Sequence, residues 1–188
     1  MSTPLPDLAK LISHITLYSS ENAYRQLFGI LYPSLYRFCY CLLKSRELAE
    51  ETANDVMITL WRNRGKLTEI QNIRVYTFVI AKNLSLNLLN KGSRQQLLSL
   101  DDVKLDIVLD TLNPEQLLIN GELRQKLENA TQSLPNRCKM VFKLIKEDGL
   151  SYRETAEILN ISVKTVDAHL VIAVKKLTSI LKKEFKLM

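Results

Sequence analysis

The side chains in this chain best suited to chemistry are hydrogen-bond donors and cations rather than nucleophiles. In SVKTVDAHLVIAVKK, residues 162–176, Lys164 and Thr165 stand near the start of an apparent helix, with Lys175 and Lys176 about three turns further on. That placement suits a helix in a DNA major groove, its first residues at base edges and its later lysines at phosphates. A second set, Arg62, Arg64 and Lys66 in RNRGKLTEIQN, precedes a helix carrying Arg74, Lys82, Asn83, Asn87 and Lys91. Guanidinium and amide groups grouped this way can hold the open edges of single-stranded bases, although a plain solvated connection would have the same composition. Catalytic spacings are absent: there is no HExxH, no phosphate-binding GxxxxGK and no GxSxG. Cys39, Cys41 and Cys138 lack the paired spacing of a zinc site and read as buried free thiols in a reducing cytoplasm. No cofactor and no small-molecule substrate are expected.

The elements that must position these residues are helices. Only five Gly and five Pro occur in 188 residues, and the intervals between them are rich in Leu, Ile, Ala, Lys, Glu and Arg. The fold class is therefore all-α. In LSYRETAEILNISVKTVDAHL, Ala156, Asn160 and Val166 meet the needs of a helix-turn-helix: a small residue at the helix crossing, one tolerating positive φ in the turn, and an apolar anchor. Ser162 can cap the second helix. At 100° per residue, Val166, Leu170, Ala173, Val174, Leu177, Ile180 and Leu181 form its core side, and Lys164, Ala168, Val171, Lys175 and Lys182 the outer side, with Thr165 and Ile172 flanking. His169 sits at the border and reads as a packing residue.

Upstream, Tyr24, Phe28, Leu31, Leu35, Phe38 and Leu42 recur at helical spacing, with Pro33 marking a kink or restart. ELAEETANDVMITLWRNR puts Ala49, Ala53, Val56, Met57 and Leu60 on one face, and NIRVYTFVIAKNLSLNLLNK puts Tyr76, Val79, Ile80, Leu84 and Leu88 on another. Residues 1–93 thus read as one helical bundle and residues 114–188 as a second domain starting at Asn113 and Pro114. The joint, 94–113, is acidic. Residues 97–120 hold 1 Lys/Arg against 5 Asp/Glu, whereas residues 1–96 hold 12 against 7 and residues 121–188 hold 13 against 8. Two basic lobes around an acidic linker suit polyanion binding. No leader and no stretch long and apolar enough to span a membrane is read from the sequence, so a cytoplasmic location without direct membrane insertion is expected.

In this order and spacing the chain resembles an extracytoplasmic-function sigma factor of bacterial RNA polymerase, especially the short kind common in Bacteroidetes. AEETANDVMITLWRNR and VYTFVIAKNLSLNLLNK resemble sigma region 2; SLPNRCKMVFKLIKEDGLSYRETAEILNISVKTVDAHL resembles region 4. The resemblance implies that Glu51, Asn54 and Asp55 grip the clamp coiled coil of the polymerase core. Arg62, Arg64, Lys66, Asn72, Arg74, Lys82, Asn83, Asn87 and Lys91 would open the minus-ten element. Ser162, Lys164, Thr165, Ala168, Val171, Ile172, Lys175 and Lys176 would serve the minus-thirty-five element, with region 4 on the polymerase flap. It also implies promoter DNA and an anti-sigma factor as partners, and a linker that mimics nucleic acid in the RNA path of the polymerase.

The chain departs from the family pattern at Asn87 and Asn90, and at Val171 and Ile172, which replace a polar and a basic residue with an apolar patch suited to thymine methyls or a protein partner. Two other readings fit parts of the sequence. ISVKTVDAHL also resembles the LuxR-type helix-turn-helix of transcriptional regulators, and a helical adaptor binding only protein would share the composition.

Overall fold

The computed structural model describes residues 7–92 and 129–185, and every described element is helical. The chain divides into two compact units, Met1–Asn87 and Leu88–Met188. That division falls inside the last turns of the fourth helix, just ahead of the boundary expected after residue 93. The acidic joint, and the helix start at Asn113 and Pro114, lie outside the described residues.

In the first unit, α1 (Leu8–Tyr18), α2 (Glu21–Leu43) and α3 (Arg46–Arg62) each start on a capping side chain. Asp7 accepts the N–H of Ala9, Ser20 that of Ala23 and Ser45 that of Leu48, satisfying donors a helix start leaves open. The first two helices stop on left-handed residues, Ser19 and Lys44. From α2, Leu27, Leu31, Leu35, Phe38 and Leu42 are buried; from α3, the expected Ala49, Ala53, Val56, Met57 and Leu60. A ladder of rings four residues apart, Tyr24, Phe28, Tyr32, Tyr36 and Tyr40, runs beside that stripe. Tyr24 anchors it, packing on Trp61 at 4.9 Å and donating its hydroxyl to the Met57 carbonyl at 2.6 Å.

Two expectations need correction here. Pro33 does not restart the helix: α2 runs through it. Proline removes one N–H and crowds the carbonyl four residues earlier, which belongs to Gly29, where no side chain adds to the crowding. The stripe on both sides of Pro33 stays continuous, so packing outweighs the lost hydrogen bond. The second correction concerns α4 (Ile73–Gly92). Its buried residues are Ile73, Val75, Thr77, Phe78, Ala81 and Ser85, whereas Tyr76, Val79, Ile80, Leu84 and Leu88, the expected core face, are only half-buried. This helix carries apolar residues on every side, so periodicity cannot choose its inner face. Phe38 of α2 chooses it by meeting Phe78 edge to face at 5.1 Å.

In the second unit the described residues resume at 129, with residues 129–132 helical. The unit continues with α5 (Asn136–Phe142), a wide π turn over Lys143–Glu147, α6 (Tyr152–Leu159) and α7 (Val163–Phe185). Ala130, Leu134, Cys138, Ala173 and Leu177 form a core with Phe142 and Ile180 packed against it. Inside this small domain lies Lys143, 2% exposed, paired with Asp148 at 2.8 Å and Glu147 at 3.8 Å. The π turn makes the pair possible, because the Asp148 N–H reaches back to the Lys143 carbonyl at 3.1 Å. No described helix is long and apolar enough to cross a membrane.

Candidate nucleic-acid interface

The helix-turn-helix is built from local chemistry. Ser151 and Glu154 close a reciprocal capping box at the start of α6. The helix ends on Asn160, whose φ of 54° is left-handed, while the N–H of Ile161 bonds to the Ala156 carbonyl at 3.0 Å. Ser162 then accepts the Thr165 N–H at 3.0 Å and starts α7. Ala156 and Val166 are buried at the crossing. The tight turn therefore has each residue type the sequence reading required of it.

Along α7, Val166, Leu170, Ala173 and Leu177 are buried, and Ile180 is half-buried. Val174 is exposed, contrary to expectation; it lies on the shoulder of the buried stripe. The outer face presents Lys164, Ala168, Val171, Ile172 and Lys175, all exposed. Thr165 is half-buried with its hydroxyl 2.7 Å from that of Ser162, so both hydroxyls are held at the helix start. Lys176 differs from Lys175: its ammonium donates to the Ser133 carbonyl and ties α7 to the turn before α5. His169 is half-buried, with Nδ1 3.5 Å from Cys138 Sγ. Burial pushes the Cys138 thiol pKa up, the behaviour of a structural cysteine. None of the three cysteines forms a disulfide, and all three are buried.

In the first unit the segment after α3 is a 3-10 helix, Arg64–Glu69, and its Leu67 is buried. Arg62 and Lys66 are exposed beside it. Arg64 is half-buried; it donates to Ser19 Oγ at 3.0 Å and the Trp61 carbonyl at 3.1 Å, with its guanidinium over the Trp61 ring. Asn72 caps α4, its Oδ1 accepting the N–H groups of Arg74 and Val75 at 3.1 and 3.2 Å. Arg74 is half-buried. Further along α4, Asn83, Asn87 and Lys91 stand exposed at four-residue spacing, one polar stripe. Lys82 beside them is half-buried, and that burial holds its ammonium pKa below the usual lysine range.

On α3, Glu51 and Asp55 are exposed and Asn54 half-buried. The sequence reading missed Leu48 and Ile58, both exposed. Leu48, Glu51, Asp55 and Ile58 follow the three-four-three spacing of a coiled-coil seam, a signal that was readable once the buried face had been subtracted. No group of three or more metal-ligating side chains occurs among the described residues.

Two family models match the chain: Sigma-70 region 2 over residues 27–95, and Sigma-70 region 4 over residues 124–177. With a helical unit under each, this is an RNA polymerase sigma factor of the sigma-70 family. Its similarities place it with the extracytoplasmic-function type. It is 26% identical over 153 residues to the ECF RNA polymerase sigma factor SigW of Bacillus subtilis, covering 78% of this chain and 82% of that one. It is 44% identical over 54 residues to the ECF RNA polymerase sigma-E factor of Escherichia coli K12, 29% of this chain and 28% of that one. The fold resembles CnrH, solved in complex with the cytosolic domain of CnrY, at TM-score 0.61 and 17% identity over 94% of this chain and 99% of that one. It also resembles RpoE of Bartonella quintana, solved with the anti-sigma factor NepR, at TM-score 0.62 and 20% identity over 85% and 96%.

Proposed function

We propose that the two units divide promoter recognition between them, α7 reading the minus-thirty-five element while the first unit holds the polymerase and opens the minus-ten element. The observation that carries this reading is the outer face of α7: a capped helix start with Lys164 free to meet bases and Lys175 free to meet phosphate. Ser162 and Thr165, bonded to each other, shape the helix start and bring its N-terminal N–H groups toward the backbone. Ala168, Val171 and Ile172 lie between the lysines. Lys176, tied to Ser133, positions the helix rather than the DNA.

Arg62 and Lys66 beside the 3-10 helix, and Asn83, Asn87 and Lys91 along α4, are the groups that can hold a flipped or unpaired base and its backbone. Arg64, Asn72, Arg74 and Lys82 build and position that surface, two of them through bonds to neighbouring backbone. The clamp coiled coil would dock along Leu48, Glu51, Asn54, Asp55 and Ile58, whose spacing matches such a partner. Region 4 rests on the flap, the acidic linker occupies the RNA path, and an anti-sigma factor competes for the same surfaces. The protein would act in the cytoplasm, and the chemistry of RNA synthesis belongs to the polymerase.

Run-off transcription with purified core enzyme on randomised promoter fragments tests this. Selected fragments should share two short elements and depend on this chain. Tight, sequence-specific binding by the free chain alone would contradict it, because about 3 to 5 phosphate contacts give a salt slope of only about 0.9 per contact and little specificity.

A further inference from the structure

We infer that α7 reads thymine C5-methyl groups, through Ala168, Val171 and Ile172, in the minus-thirty-five element. This rests on the proposal that α7 enters the major groove there. Between Lys164 and Lys175 these three lie nearest the line of the two lysines on the helix wheel, with exposed Val174 on the far shoulder, and none of their side chains can make a hydrogen bond. Two of the polar neighbours are engaged: Thr165 is bonded to Ser162, and His169 contacts Cys138. Asp167 is exposed and borders the patch, one turn before Val171 on the helix wheel.

Val171 is 42% exposed and Ile172 48%, so nothing within the described unit covers them. The lysines at either end of the patch are exposed too, which gives the face the charge that a phosphate-walled groove complements and a buried protein interface does not. Within a major groove, the one apolar feature a base pair displays is the thymine methyl. Opposite a G·C pair, the same side chains would strip water from polar base edges and return nothing. Both effects favour A·T pairs. Ala168 is short enough to let the helix come close, and the branched Val171 and Ile172 lose little rotamer freedom when held. From Ala168 to Ile172 the helix rises about 6 Å, on the order of two base steps.

The test uses holoenzyme assembled from core polymerase and the full chain, on a promoter selected from randomised fragments. Thymines of the minus-thirty-five element are replaced by deoxyuridine, which removes the methyl and keeps every hydrogen-bonding group. Open-complex formation should weaken by about fourfold for each contacted methyl. The Val171→Ala, Ile172→Ala double variant should bind the thymine promoter more weakly and respond much less to uridine; its circular dichroism checks that the helices persist. A wild-type chain indifferent to uridine, yet sensitive to scrambling of the element, overturns methyl reading alone. Indifference to scrambling overturns the minus-thirty-five reading beneath it. A double variant that keeps the full uridine penalty assigns the methyls to other residues. One that loses the same activity on both promoters, with the wild type indifferent to uridine, makes the patch a protein contact.

Discussion

The ammonium of Lys143 lies 2.8 Å from the carboxylate of Asp148, and neither side chain is open to water. Glu147 adds a second carboxylate at 3.8 Å. Removing the lysine strands two buried acids, whose desolvation is then uncompensated. Lys143→Ala should destabilise the second unit by about 3–5 kcal/mol, read as an earlier urea transition by far-ultraviolet ellipticity. An unchanged transition would mean the cluster hydrates freely.

Asn160 holds φ of 54° at the turn of the helix-turn-helix. Asn160→Gly should be close to neutral, while Asn160→Val should cost roughly 1–2 kcal/mol and weaken promoter binding, since the branched side chain resists the left-handed conformation. Equal stability of the two variants would count against that account of the turn.

Lys164 and Lys175 should separate by sequence dependence. Loss on Lys164→Ala should vary with substitutions in the minus-thirty-five element; loss on Lys175→Ala should be even across promoters and should lower the salt slope by about 1. Competition binding with a panel of mutated elements measures both, and matching profiles would remove the distinction.

Ile58 lies exposed at the end of the α3 seam. Ile58→Asp should leave the fold intact and weaken holoenzyme assembly by roughly tenfold, the loss of one apolar anchor at an interface. Fluorescence titration of core polymerase measures it; unaltered affinity would move the docking surface elsewhere.

Lys82 titrates below the usual 10.5 because burial disfavours its charge. The unfolded chain therefore binds more protons between the lowered pKa and 10.5, so this residue makes stability rise with pH across that window. Its penalty is fully present below the folded pKa. Lys82→Met should flatten the alkaline rise in the unfolding transition of the first unit while reducing promoter opening. A rise that persists in the variant would assign it to another group.

Much of the fold was legible because its signals are local. The stripe Ala49, Ala53, Val56, Met57 and Leu60 sits on a helix whose other positions are mostly polar, so a 3.6-residue period identifies its inner face. Asn160 and Ser162 declare the turn through their own backbone and side-chain preferences. Leu48 and Ile58 were also visible as apolar residues, yet their significance depended on knowing which face the bundle had already used.

What the sequence by itself determined is the all-helical class, the helix-turn-helix and the apolar gap in its outer face, because each depends on residues within a turn or two of one another. What only the tertiary structure decided is which apolar side of α4 turns inward and which cations are already occupied. Phe38 selects Phe78 from 40 positions away in α2, Arg64 is taken up by Ser19 and Lys176 by Ser133, and Lys143 is drawn into the core by a π turn. Charge and hydropathy are properties of a residue, but burial and pairing are set by the neighbours that the folded chain brings from a distance.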